Sequence, residues 1–529
     1  MSSLQQLGNI ITELQLWDSK LLSFWFGPFL LVLTAWSFWG FGSQADMREP
    51  PILKPRVPLV GHAWGLFKSS HGYLESMCHK SGLPIYTLPL LHKKVYVINS
   101  PIFVSAAFSN KNLSFGPFII DFVQRMEELS VTARRAYSEE GMHTKLMQIF
   151  SMYMTGRYLR SMNSVQLEEI FRYLPGCGPG VETENLWIWL RDILTLGKTT
   201  MLLGSRNNPW KNDHSLIEDY WNFEANPSRR FNLTGVKNRS SSKSHRILLA
   251  ALQSYFDAGH DMSTDTKDAD VAQMTRETGA MQREAGFTTT DIAAAHVVII
   301  HGGLVSVVPT IFWAAMYLFC DPDLLTQARK DALAAVTVTV NQSTGRREAC
   351  VSHGRLEDSC PFLASVLRET QRLVAVGTLH RRVLEDTELS GGIGGERTQN
   401  SGVMRRVSLD WGGSKQMTPP GQETSSRQPT LQSAKQSTNM RKKAYFPFGG
   451  GKDLCPGRQL AIAETLSTLV VLSLGFDITA PDGTTMKLPA FSTPKITSQT
   501  ARPHESSSLR ARIKRRAGWE DVIWSVSQD

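Results

Sequence analysis

The chain has 529 residues, 41% hydrophobic and 20% charged, enough for one large globular domain or several ordinary ones with a sizeable core. Six cysteines, at 78, 177, 320, 350, 360 and 455, stand singly with no CxxC pair; this argues against a disulfide scaffold or a structural zinc site and fits a reducing compartment. The net charge of +9 does not make a nucleic-acid binder, because residues 391–443 hold nine Lys/Arg against three Asp/Glu, a net +6, and the rest is close to balanced.

Residues 21–42, LLSFWFGPFLLVLTAWSFWGFG, run 22 residues without a charge. As a helix they span ~33 Å at ~1.5 Å per residue, enough to cross a hydrocarbon core of ~30 Å. Trp25, Trp36 and Trp39 lie near the ends, where indoles favour the interface. The stretch exceeds the ~7–15 residues of a cleaved signal's apolar core, and no small-x-small cleavage site follows, so a transmembrane anchor is expected. Lys20 precedes it, while Arg48, Lys54 and Arg56 follow. The positive-inside rule then puts residues 1–20 in the lumen and the bulk of the chain in the cytosol. Residues 43–62 form a Pro-rich hinge, in which Pro50, Pro51, Pro55 and Pro58 forbid helix and predict a stiff, extended connection to a catalytic domain over 63–529.

Beyond the hinge, KKVYVINS (93–100) predicts a short strand, and the segments 141–163 and 184–204 show helical apolar spacing. Residues 287–319 form a long apolar helix with a Thr/Asp start. A His, two glycines, a Ser and a Pro in its middle favour a buried helix with a local bulge over a second membrane span. Residues 360–377 form an amphipathic helix that puts Glu369 and Arg372 on one face. Residues 391–443 are rich in Gly, Ser, Thr, Gln and Arg without periodicity, and read as an atypical loop or disordered segment. Helical order resumes after Cys455, with Leu460, Ala463, Leu466, Val470 and Leu474 on one face. The basic run 510–516 reads as an alternating exposed strand.

The stretch FPFGGGKDLCPGR (446–458) admits three chemistries. A phosphate loop needs Ser/Thr after Lys452, and Asp453 stands there instead. A catalytic thiol needs a base that nothing in the sequence marks. A metal thiolate fits best: Cys455 begins a helix whose unpaired N–H groups and dipole favour the anion, and the glycines let the loop approach a flat ligand beside Phe448.

Phe448, Gly451, Cys455 and Gly457, at this spacing, resemble the haem-binding signature of the cytochrome P450 family. Glu369 and Arg372 resemble its K-helix motif, and residues 287–319 its I helix. The segments VVPTIFW, TLHRRVLEDTEL and RRAGWEDVIW are similar to the branch with sterol 7α-hydroxylases, prostacyclin synthase and fungal relatives. The resemblance implies a mainly α fold with small β-sheets, the cytochrome P450 fold, carrying an N-terminal transmembrane helix at the endoplasmic reticulum membrane. It implies haem b (iron protoporphyrin IX), with Cys455 as the iron ligand and Phe448, Gly451 and Gly457 around it. The expected activity is a monooxygenase that oxidises a lipophilic terpenoid, sterol-like or alkaloid intermediate of fungal secondary metabolism. NADPH-cytochrome P450 reductase is the implied electron donor, and no nucleic-acid partner is expected.

Four positions depart from the family's pattern. The acid–alcohol pair of the I helix is absent, leaving Ser306 as the hydroxyl for proton delivery. Asp453 stands where a basic residue normally meets a haem propionate; Lys452 or Arg382 compensates, with Arg381 as close a candidate as Arg382. No Trp-x-x-x-Arg occurs in the early helix, and the match Trp187/Arg191 falls too late. Residues 391–443 lack the family's meander, whose Arg normally joins Glu369 and Arg372 in a buried triad; a buried pair without it is destabilising. A mis-spliced or frame-shifted insert explains this segment, and a transcript encoding its 53 residues in frame would sink that explanation. Two alternatives therefore stand beside the monooxygenase: a haem-thiolate peroxide isomerase, and an inactive chain.

Overall fold

The protein is described here by a computed structural model. It describes residues 27–28, 30–31, 49–55, 62–90, 93–126, 129–174, 180–225, 239–263, 270–342, 345–352, 356–389, 402–404, 414–415, 445–492 and 499–527. Of the expected anchor, Gly27, Pro28, Leu30 and Leu31 are described, all helical, with Leu31 70% exposed. The rest of the anchor, the N-terminal 20 residues and most of 391–443 lie outside the described residues.

The chain divides into two compact units, one of residues 1–114 with 379–414 and one of 115–378 with 415–529. The first contains helix α1 (Ala63–Ser81), an antiparallel pair of strands Ile85–Leu90 and Lys93–Ile98, and helix α2 (Pro101–Ser109). Val95 and Val97 of the predicted strand are buried with Tyr86 and Leu88 of its partner. The hinge is tied to this sheet. Leu53 N–H donates to Thr87 O at 2.9 Å and Thr87 N–H to Pro51 O at 2.9 Å, so the prolines flank an edge strand rather than a free linker. Buried His62 bridges Tyr73 Oη at 2.6 Å and Leu53 O at 2.9 Å.

The second unit is predominantly helical: α3 (Gly116–Met126), α4 (Val131–Ser138), α5 (Met142–Tyr153), α6 (Gly156–Tyr173), α7 (Leu186–Leu203), α8 (Ser215–Glu224), α9 (Arg239–Asp257), α10 (Gln273–Glu284), α11 (Thr289–Leu304), α12 (Val307–Phe319), α13 (Pro322–Ala332), α14 (Pro361–Val374) and α15 (Arg458–Gly475). Local chemistry sets several starts. Asn185 Oδ1 accepts from the amides of Trp187 and Ile188, Thr288 and Asp291 form a capping box, and Asp321 caps α13 with Pro322 at its first turn. The helical segment 141–163 is two helices, parted at Met154–Thr155 before Gly156 with φ +55°.

Two three-stranded sheets complete this unit. Strand Ala511–Arg515 lies between Phe476–Thr479 and Val181–Thr183, antiparallel to both. The basic run expected as an exposed strand is thus central, and its alternation buries Ala511 and Ile513 while Lys514 faces solvent. Strand Arg347–Val351 pairs antiparallel with Val336–Val340 and parallel with Ile523–Val526. The core gathers around α12, where Phe312 and Trp313 are fully buried and Trp313 Nε1–H donates to Ala501 O at 2.9 Å.

Candidate active site

The glycine-cysteine stretch folds back on itself. Gly449 (φ +73°) and Gly451 (φ +66°) take the left-handed conformation that L side chains avoid. A Cβ on Gly449 would meet only Asp453 O, at 3.6 Å, so conformation rather than crowding selects glycine there. The chain then makes a 3-10 turn, Gly451–Asp453, and the Cys455 amide donates to Phe448 O at 3.0 Å. Gly457 sits at the start of α15, where a Cβ would lie 3.3 Å from Met154 Sδ and 3.8 Å from Cys455 Sγ. The motif's fixed residues therefore answer to backbone folding around one sulfur.

Among the described cysteines Cys455 is the exposed one; Cys360 is buried and Cys78, Cys320 and Cys350 are half-buried. Burial of its surroundings nevertheless pushes the Cys455 thiol pKa up, against the Gly457 amide and the Arg458 charge, which pull it down. Cys455 is thus exposed as a residue while its thiol is partly screened from water. The expected stabilisation by the helix start is real but smaller than the desolvation. Among the described residues no group of three His, Cys, Asp or Glu side chains could hold a metal ion. Cys455 therefore suits a metal whose other donors come from a prosthetic group.

The long apolar helix breaks where its glycines and proline predict. Val305 N–H donates to His301 O at 3.0 Å, ending α11, and the ladder resumes with Thr310 N–H to Ser306 O at 3.2 Å. Pro309 has no N–H for the Val305 carbonyl. Ile292–Val297 are buried, as are Val308–Met316, yet Gly302 between them is exposed and a Cβ there would touch nothing within 4 Å. The helix centre at Gly302 therefore borders open space between two buried stretches. Ser306 is half-buried at this break, and its hydroxyl has no hydrogen-bond partner among the described residues, whereas Thr310 Oγ1 donates to Ser306 O at 2.7 Å. Among the described residues, 289–319 is the stretch long and apolar enough to cross a membrane, and many of its residues pack in the protein core.

The remaining sequence candidates separate. Asp453 is no stray acid: its Oδ2 accepts from Phe115 N–H at 3.0 Å, just before α3. On α5, buried His143 Nδ1 lacks a partner; desolvation lowers the His143 pKa and the nearby Asp453 charge raises it. Lys452 is exposed on the 3-10 turn. In the first unit, Arg382 pairs with Ser114 in a short antiparallel ladder, and buried Arg381 lies over the Phe108 ring at 5.4 Å. Trp187 and Arg191 serve packing: Trp187 meets Trp221 and Phe312 edge-on, and Arg191 pairs with Asp192 and Glu218. After α14, the Val376 and Gly377 amides donate to Gln499 O at 3.0 and 3.1 Å.

Glu369 and Arg372 form a bidentate pair at 2.6 and 2.9 Å, but it is not buried: the side chains are 57% and 32% exposed. The destabilisation expected of a buried pair does not arise, because water solvates both charges. Nearby, a groove of about 850 Å³ follows α6, α14 and the turn before Cys455, with Arg160, Arg368, Tyr445 and Arg458 on its walls. Leu454 and Arg458, on either side of Cys455, also line this groove.

Two polar contacts went unread in the sequence. Lys198 of α7 reaches Glu464 of α15, with side chains 4% and 0% exposed. Tyr220 of α8 meets His301 of α11 at 3.4 Å. A lone charge inside each apolar run, TLGKTTMLL and LAIAETLSTL, was the available signal for the first; the second pairs residues 81 positions apart and left none.

Residues 230–393 match the family model for cytochrome P450, a match that ends as the atypical segment begins. A cytochrome P450 monooxygenase of Gibberella zeae is 28% identical over 511 residues, 92% of each chain. The pig 5-beta-cholestane-3-alpha,7-alpha-diol 12-alpha-hydroxylase is 24% identical over 84% of this chain and 89% of its own. The fold is shared with retinoic acid-bound cyanobacterial CYP120A1, at a TM-score of 0.58 and 15% identity over 89% of this chain and all of that one. Over most of its length the chain is thus similar to cytochrome P450 monooxygenases, oxidoreductases whose cofactor is haem b. The accessible, singly placed thiol of Cys455 fits that group.

Proposed function

We propose that Cys455 is the axial thiolate of the haem and that the protein inserts one oxygen atom into a lipophilic terpenoid, sterol-like or alkaloid substrate of fungal secondary metabolism. Substrate R–H, O2, two electrons and two protons give R–OH and water. Bound haem, with a thiolate on its iron, supplies the activation of dioxygen. The single observation carrying this reading is the accessible Cys455 sulfur, held by the folded-back glycine loop at the start of α15.

The chain's own part is positioning and proton handling. The Gly457 amide and the Arg458 charge favour the thiolate. Phe448, Gly451 and Gly457 shape the loop, with Lys452, Arg382 and His143 as candidate propionate partners. Ser306, with its uncommitted hydroxyl at the helix break, would serve as the proton-relay hydroxyl. Residues 21–42 anchor the protein in the endoplasmic reticulum membrane with the catalytic unit cytosolic, and NADPH-cytochrome P450 reductase supplies electrons. Val305 brings no acid beside Ser306, which favours a second reading, peroxide isomerisation; turnover without NADPH and reductase would select it.

The test is the reduced carbon monoxide difference spectrum of the full chain in detergent. The wild type should give the Soret band of a thiolate-ligated complex, and Cys455→Ser should lose it. Haem bound by Cys455→Ala with an unchanged thiolate band would overturn the assignment.

A further inference from the structure

A seam of polar side chains crosses the apolar core between α6, α7 and α15. Asn163 and Gln166 share one face of α6, and Glu464 and Ser467 one face of α15. All four are between 0% and 2% exposed, and Lys198 of α7 is 3% exposed. The helices are joined along it: Asn163 Nδ2 lies 3.5 Å from Ser467 Oγ, Gln166 hydrogen-bonds Glu464, and Glu464 pairs with Lys198. One end of the seam opens outward, since Asn163, with Ala463 next to Glu464, lines the groove of about 850 Å³. The other end reaches α11. A Cβ on Gly303, one turn before Ser306, would lie 3.2 Å from Lys198 Cδ.

Among the described residues, Asn163 Oδ1 and Gln166 Oε1 have no hydrogen-bond partner. Buried acceptors are normally satisfied, and internal water is the usual partner where no protein donor is at hand. A seam needed only for packing would be apolar and escape the roughly 1–3 kcal/mol that an unsatisfied buried group costs. The helix break at its inner end has a hydroxyl but no carboxyl, because residues 292–319 contain neither Asp nor Glu.

We infer that the Lys198–Glu464 pair is the proton source for the Ser306 hydroxyl, connected to solvent in the groove by internal water on Asn163 and Gln166. The inference rests on the reading of Ser306 as the relay hydroxyl of a monooxygenase. One proton leaves the pair toward the break, and one from groove water replaces it, so the pair regains its charge after each transfer. Desolvation raises the proton affinity of Glu464, while Lys198 and Gln166 lower it, and these opposed effects suit a group that both takes and gives a proton. Glu464 and Lys198 act through Ser306 and are positioning residues.

The first test is a crystal structure of the full chain. Ordered water should lie within hydrogen-bond distance of Asn163 Oδ1 and Gln166 Oε1, and a dry seam would overturn the inference. The second uses the haem-loaded chain with reductase and NADPH but no substrate. There NADPH, one proton and O2 give NADP+ and hydrogen peroxide, whereas NADPH and two O2 give NADP+, one proton and two superoxide. Peroxide formation consumes protons and superoxide release does not, so their ratio reports proton supply, and a merely structural role would not shift it. Lys198→Met with Glu464→Leu, an apolar pair that keeps the packing, should lower the peroxide-to-superoxide ratio roughly tenfold or more. Asn163→Leu, which leaves the pair in place, should lower it too, and circular dichroism checks the fold of both. A lowered ratio in Ser306→Ala with a wild-type ratio in the double variant overturns the inference alone. An unchanged ratio in Ser306→Ala sinks the relay reading on which it rests, and a wild type without the thiolate-type carbon monoxide band sinks the haem-site reading before either.

Discussion

The Lys198–Glu464 pair ties α7 to α15, the helix that begins just after Cys455, and its removal has a calculable consequence. Both side chains are almost wholly buried, and burial already raises the Glu464 carboxyl against the lowering effect of Lys198. Lys198 is the main compensation for this carboxylate, with a smaller hydrogen-bond contribution from Gln166. The Lys198 stem also packs on α11, where a Cβ on Gly303 would come within 3.2 Å of its Cδ. Lys198→Met preserves that stem and removes the charge. It should cost about 3–5 kcal/mol, the usual penalty for leaving a buried charge alone, and less where Glu464 takes up a proton. Lys198→Met with Glu464→Leu, an apolar pair of similar volume, should return to within about 1 kcal/mol of the wild type or exceed it. Urea unfolding of the wild type, of Lys198→Met and Glu464→Leu singly, and of the double variant, followed by far-ultraviolet circular dichroism and by haem absorbance, measures the cycle. If Lys198→Met costs under about 1 kcal/mol, or if the double variant is simply the sum of the singles, the pair is not the coupled buried unit described here.

Other perturbations follow from the same reasoning. His296 is buried on α11 against Phe256, with Nδ1 2.9 Å from Ile292 O, and desolvation lowers its pKa to about 4. Its folded pKa lies below the ordinary 6.5, so between these values the unfolded chain binds the extra proton. The stability is full above pH 6.5 and falls by roughly 3 kcal/mol as pH drops toward 4. His296→Leu should flatten that part of the pH–stability curve, and an unchanged curve would refute the assignment. Arg372→Ala should cost no more than about 1 kcal/mol, because the Glu369–Arg372 pair is solvated. A urea midpoint shift equivalent to 3 kcal/mol or more would mean that a further group buries the pair.

The parts of the fold legible in sequence were those set by local chemistry. Periodicity and caps marked α7, α11, α14 and α15, and period-two β-branching marked the strand 93–98, because helix and strand patterns repeat within a few residues. The helix break was legible for the same reason: Pro309 removes an N–H whatever surrounds it. Burial of the Glu369–Arg372 motif was not legible. Spacing fixes that the two side chains meet, but solvent access depends on what other segments lay over them. The hinge gave a related lesson: its prolines predicted extension, and the hydrogen bonds to Thr87 that make it an edge strand come from a residue more than thirty positions away.

The same division holds at the site. By itself the sequence determined the haem ligand candidate, since the positive-φ glycines, Cys455 and the helix start are all neighbours along the chain. Tertiary structure alone decided that the Cys455 sulfur is accessible, that Asp453 is occupied by the Phe115 amide, and that Tyr220 and His301 meet beside an open helix break. Hydrogen bonds reach only about 3 Å, so which distant residues satisfy one another depends on packing. Which cysteine is the candidate thiolate is a local property of this chain; the chemistry surrounding it is a long-range one.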